Sequence, residues 1–310
     1  MSVSTASISH GSIACVTATV PDLDAALGDY EGRLGLACLS RSKVSEADAA
    51  SWDAPDIVGH RQAILSPVSE APFAIRIVEQ PNPADFRATT TYGWAAFELT
   101  VQNVFKWPQS LAGGGFDIVG PPRQIAGLDH LIAMQMVGTG QEMLYLNEVR
   151  DNTPTTDLPK AQSPVDKAFI CILAAKHREA AVAWYCEKLA LDESETHTIP
   201  YSSINRALDL PTDTQTTLTM VHSGRMPIIE VDAYPETATD RPSKAGYLPA
   251  GNAIVSLAVR NLDAIQLTPI APIAKRQATP FSGQRSACYR GAEGELLELI
   301  EFPDKGETRI

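Results

Sequence analysis

From Ile13 to Val20 the chain alternates as a strand does, then changes period: Leu27, Tyr30 and Leu34 fall on one helical face. Asp22 stands where an N-cap belongs, and Gly35 where the chain leaves the helix. The same order returns 155 positions later, with a strand at Phe169 to Leu173 and Val182, Tyr185 and Leu189 at the helical spacing. Two further strand-into-helix segments echo each other, Trp94 to Val104 and Asn252 to Leu262. Two segment ends match as well, Gln141 to Glu148 and Gly294 to Glu301. An internal repeat dictates architecture, so it outranks any local motif.

The repeat divides the chain into four modules, at about 10–80, 92–150, 165–235 and 250–303. Proline- and threonine-rich connectors, Gln80 to Tyr92 and Pro235 to Pro249, separate modules within each half. Between the halves runs 151–164, DNTPTTDLPKAQSP, with three prolines and almost no apolar content. The expected organisation is therefore two domains, 1–150 and 165–310, joined by that linker. Four strand-helix-strand-strand-strand (βαβββ) modules imply an α+β fold in which helices cover one face of each sheet. The other face is left to curl around a cavity suited to a small molecule.

Composition narrows the partners. The 310 residues carry 37 acidic and 25 basic side chains, a formal charge of -12 that disfavours phosphate backbones and anionic membranes. No stretch reaches the length of a membrane span, and the N-terminus has no secretory pattern. The five cysteines are far apart and never in a CxxC spacing, which argues against a disulfide framework or structural zinc. A cytoplasmic protein with a small-molecule ligand, and without nucleic acid or membrane partners, is the expectation. Six histidines show no HxxxH or HExxH spacing; His197 and His222 are the two that would reach a cavity. Gly113-Gly114-Gly115 lacks the context of a phosphate-binding loop.

The run Val20-Pro21-Asp22-Leu23-Asp24-Ala25-Ala26-Leu27 with Tyr30, Leu34 and Gly35, and the later Gly115-Phe116-Asp117-Ile118-Val119-Gly120-Pro121-Pro122, resemble the vicinal oxygen chelate (VOC) superfamily. That superfamily includes glyoxalase I, extradiol dioxygenases and bleomycin resistance proteins. The resemblance covers almost the whole chain and implies two tandem open barrels, each built from a module pair around one divalent metal held by His and Glu. Carried over by register, the four ligand positions are Cys15, Arg76, Ala96 and Tyr145 in the first half, and Ile170, Glu230, Ile254 and Glu298 in the second. A guanidinium repels a cation, so the first half lacks the usual site. Glu230 and Glu298 with water leave room for weakly held Mg²⁺ or Ca²⁺, and otherwise no cofactor is expected. Related proteins often dimerise through their sheets, which leaves room for a homodimer.

Strand alternation gives the cavity-facing set. In the first half it is Cys15, Thr17 and Thr19, then Arg76, then Trp94, Ala96, Glu98 and Thr100, then Tyr145 and Asn147. In the second half it is Glu230, Ser256 and Glu298, with Lys167 as a further candidate. Glu98 is the best general base, Tyr145 the acid or oxyanion donor and Arg76 the partner for a carboxylate or enolate oxygen. Trp94 would supply a flat wall, with Thr17, Asn147 and Cys15 completing the binding set. The plainer alternative is an Arg76–Glu98 salt bridge inside a filled barrel. Three functions fit: a metal-independent lyase or isomerase acting on an aromatic or keto-acid metabolite; a non-catalytic sequestering protein of bleomycin-resistance type; and an extradiol-type dioxygenase with an atypical metal site.

Overall fold

The computed structural model describes residues 8–125, 128–277 and 279–303. Module one comprises β1 (Ile13–Val20), α1 (Leu23–Tyr30), β2 (Ala37–Lys43), α2 (Glu46–Ser51), β3 (Arg61–Ser66) and β4 (Ala74–Glu79). Module two follows with β5 (Gly93–Val101), the single-turn α3 (Trp107–Ser110), β6 (Asp117–Ile125), β7 (Leu128–Val137) and β8 (Met143–Val149). Module three is β9 (Val165–Ala175), α4 (Arg178–Leu189), β10 (Asp192–Pro200), α5 (Ser202–Ala207), β11 (Gln215–Ser223) and β12 (Met226–Ala233). Module four is β13 (Asn252–Val259), β14 (Ala274–Lys275), β15 (Arg285–Arg290) and β16 (Leu296–Glu301), with a short 3₁₀ turn in place of the helix.

The helix signals in the sequence act as expected at α1. Asp22 accepts a hydrogen bond from the Ala25 backbone N–H at 3.0 Å, satisfying a donor the helix itself cannot. The helix closes at Tyr30, earlier than the apolar spacing suggests, and Gly35 turns the chain out with φ +73°.

The strands form two eight-stranded sheets, and their membership departs from the halves of the sequence. The first sheet runs β14-β15-β16-β13-β1-β4-β3-β2, and the second runs β10-β11-β12-β9-β5-β8-β7-β6. Module one therefore joins module four through antiparallel β1 and β13, while module two joins module three through antiparallel β5 and β9. The proline-rich segment 151–164 connects β8 to β9, two strands of the same sheet, rather than linking a barrel of residues 1–150 to one of 165–310. The physical reason is edge pairing: each module leaves its first strand unpaired on one side, and any other module's first strand satisfies it equally well.

One apolar core is shared by both sheets. It takes Val16, Ile75, Val255 and Leu297 from the first sheet, Phe97, Leu99, Leu173 and Val231 from the second, and Leu27, Tyr30, Val182 and Tyr185 from α1 and α4. Facing away from it, the second sheet curls around one further cluster and the first sheet around two, which defines a first cup (modules one and four) and a second cup (modules two and three).

Candidate functional site

Sheet register decides which side chains meet in each cup. In the first cup, Cys15 on β1 lies beside Ser256 on β13, Ser256 beside Glu298 on β16, and Glu298 beside Cys288 on β15. The next row places Thr17 beside Arg76 on β4 and Ile254 on β13. Arg76 donates to Thr17 Oγ1 at 3.3 Å and lies 4.8 Å above the Trp52 ring. Glu298 accepts from Ser256 Oγ at 2.6 Å and from Arg276, and is 3.9 Å from Arg76. The Cys15 thiol is pushed up by burial, which the nearby Arg76 and Arg276 only partly offset, so it is not an activated nucleophile.

In the second cup, Tyr145 on β8 lies beside Glu98 on β5, and Glu98 beside Ile170 on β9. Ala96, Ile172 on β9, Glu230 on β12 and Met220 on β11 make the adjoining row. Asn147 Nδ2 donates to Glu98 Oε2 at 2.5 Å. Tyr145 Oη lies 3.3 Å from both Tyr201 Oη and Ser203 Oγ, and Tyr201 donates to Glu230 Oε1 at 3.0 Å. Asp232, 1% exposed, points the same way two residues on, and neither oxygen accepts a hydrogen bond from a fixed donor. Burial, then the neighbouring Glu230, hold Asp232 well above the usual carboxylate range, so Asp232 is the carboxyl that keeps its proton. Burial, then Glu230, also push Glu98 well up, while Asn147 pulls it down. His197 lies beside Leu218 of β11 and 3.3 Å from Glu195; buried His222 is pushed down by burial.

The first-half residues expected to share one cavity are thus divided. Cys15, Thr17 and Arg76 belong to the first cup, with Glu298 from the second half, and Glu98, Tyr145 and Asn147 to the second, with Glu230, so there is no Arg76–Glu98 pair. Glu230 and Glu298, expected to share one metal, stand on different sheets, each engaged with its own partners. Trp94 does not line a cup. A β-bulge between Trp94 and Ala96 breaks the alternation and turns the indole into the shared core, where Nε1–H donates to Leu296 O at 2.8 Å. Asp232 was legible from Glu230 by the i, i+2 rule. Tyr201, Ser203, Trp52 and Arg276 were not, because they sit outside the long strands.

The metal that the resemblance implies does not fit these donors. Among the described residues, no three of His, Cys, Asp and Glu are grouped so as to hold a metal ion. In the first cup two guanidiniums crowd Glu298. Two open clefts lie elsewhere. One of about 260 Å³ contains Arg241, whose guanidinium is engaged by Thr91, Trp94, Ala250 and Asn252. The other, of about 540 Å³, lies between His10 and the end of α4. No helix among the described residues is long and apolar enough to cross a membrane.

No protein-family model and no curated protein matches the sequence. Solved structures do match. Glyoxalase I from Zea mays aligns with TM-score 0.60 at 14% identity, over 94% of this chain and 92% of that one. A mutant form of the same maize enzyme aligns with TM-score 0.61 at 14% identity, over 94% and 93%. A protein from Bacillus subtilis subsp. subtilis str. 168, to which a dioxygenase activity is ascribed, aligns with TM-score 0.61 at 12% identity, over 96% and 87%. Four βαβββ modules paired into two curled sheets, over nearly the full length of these structures, give the chain the fold of the vicinal oxygen chelate superfamily.

Proposed function

We propose that the second cup catalyses proton transfer on a small carbonyl metabolite, an aromatic ketone or keto acid, as a lyase or isomerase that needs no metal. The observation that supports this is the buried hydrogen-bonded run Glu230–Tyr201–Tyr145, with Asp232 beside Glu230 and Glu98 beside Tyr145. Carboxyls pushed apart in proton affinity by burial and by one another provide an acid and a base near neutral pH. Glu98, once ionised, removes a proton from the carbon next to the carbonyl. Tyr145 O–H donates a hydrogen bond to the oxygen on which the negative charge develops. Where the substrate is an α-hydroxy ketone, return of that proton to the former carbonyl carbon, with the hydroxyl proton passing to the other oxygen through Tyr145, completes an isomerisation; where the next carbon out bears a leaving group, its departure with the proton held by Glu98 completes an elimination. Asn147 holds Glu98 Oε2 and so orients the base.

The sequestering reading required Trp94 and Tyr145 as facing walls, and Trp94 lies in the shared core. The five cysteines are all free, in keeping with a reducing, cytoplasmic setting. The test is solvent exchange. Small keto acids and hydroxy ketones incubated with the protein in D₂O and followed by NMR should gain deuterium next to the carbonyl. Glu98→Gln should slow this by at least about 100-fold, with Tyr145→Phe slower than wild type. Equal exchange in wild type and Glu98→Gln would sink the assignment.

A further inference from the structure

The two cups carry opposite charge. Against the carboxyls of the second cup, the first holds two guanidiniums, Arg76 and Arg276, around one buried carboxylate. Glu298 is already engaged, one oxygen with Arg276 and the other with Ser256. Arg76 is 2% exposed; Nη1 donates to Thr17, and Nη2, 3.9 Å from Glu298 Oε2, makes no hydrogen bond. Beneath it the Trp52 indole N–H, also buried, donates to nothing. Buried N–H groups are nearly always paired, so two orphans in contact, beside surplus positive charge, call for an acceptor that the protein does not supply. The other acid acting on Arg276 is half-buried Asp48, which already takes a hydrogen bond from Ser45. Burial, then Arg76, pull Arg276 down to about 10, while Glu298 is its paired carboxylate.

We propose that the first cup binds a small organic carboxylate, received by Arg76 Nη2 and the Arg276 guanidinium and walled by Trp52. A planar guanidinium pairs with a carboxylate through parallel N–H bonds, and the indole N–H offers a further donor. Arg276 directly follows β14 at the edge of the first sheet, where its backbone N–H donates to Gln284 O and its C=O accepts from Gly283, so its guanidinium is carried by a fixed backbone. Nothing in the assignment depends on Glu98 or on the reaction proposed for the second cup.

Equilibrium dialysis of the full chain with radiolabelled benzoate, and with benzamide as the uncharged counterpart, tests it. One benzoate per chain should bind, benzamide should bind far more weakly, and Arg76→Gln and Arg276→Gln should each weaken benzoate by at least about tenfold. Glu98→Gln, on the other sheet, should leave the affinity unchanged, which separates this site from the proton-transfer site. Absence of benzoate binding to wild type, equal binding of benzamide, or unchanged affinity in the arginine variants would overturn it. Should Arg76→Gln fail to fold, Arg276→Gln at the sheet edge decides alone.

Discussion

At the scale of single residues, the second cup is governed by how burial redistributes protons. Glu98 needs to be ionised to act as a base, and burial with Glu230 holds its affinity for the proton well above the ordinary 4.5. The catalytic rate should therefore rise with pH along a limb displaced above that value. Asn147 opposes the displacement by donating to the ionised carboxylate. Asn147→Ala should move the limb to higher pH while Glu98 remains in place, a shift read from kcat/KM against pH; an unmoved limb would deny Asn147 its positioning role. The sequence was informative about these residues: alternation put Glu98, Tyr145 and Asn147 on one face, and the structure brings them together, Tyr145 beside Glu98 and Asn147 donating to it. It failed at Trp94, because alternation holds only while the ladder is regular, and the bulge leaves no local mark in Trp94-Ala95-Ala96.

At the scale of elements, the repeat is preserved in a contact as well as in a pattern. Tyr30 of α1 donates to Glu142 beside the β7–β8 turn at 3.1 Å, and Tyr185 of α4 donates to Glu295 beside the β15–β16 turn. Each carboxylate is tucked against a glycine: a Cβ on Gly138 or Gly291 would stand 2.0 Å from Oε1 of Glu142 or Glu295. Burial is the main influence on Glu142 and raises it from 4.5 to about 7, hydrogen bonds notwithstanding. A raised acid binds its proton more tightly when folded. Its contribution is fully present below pH 4.5 and is lost as pH rises through about 7, a change of about 3 kcal/mol. Denaturant unfolding between these pH values should show stability falling with pH, and Glu142→Gln should flatten the fall. A profile unchanged in the variant would exclude Glu142 as its source.

At the scale of the whole molecule, each cup draws on both halves of the chain, so the halves are interdependent. Expressed separately, 1–150 and 165–310 should each expose the unpaired flanks of their first strands, β1 and β5 or β9 and β13, and aggregate. Co-expressed, they should purify together as one complex, detected by a tag on either half; two independently stable monomers would contradict the observed sheet order. The sequence by itself determined the modules, their α+β class, the capped first helix and most side chains that face a cup, because these follow from periods of 2 and 3.6 residues. Only the tertiary structure decided which modules share a sheet, hence that Arg76 meets Glu298 and Glu98 meets Glu230, and that Trp94 leaves the cavity. The reason is that a periodic pattern states which face of a strand is buried. It carries no record of which edge pairs with which, since backbone hydrogen bonds are the same for every partner.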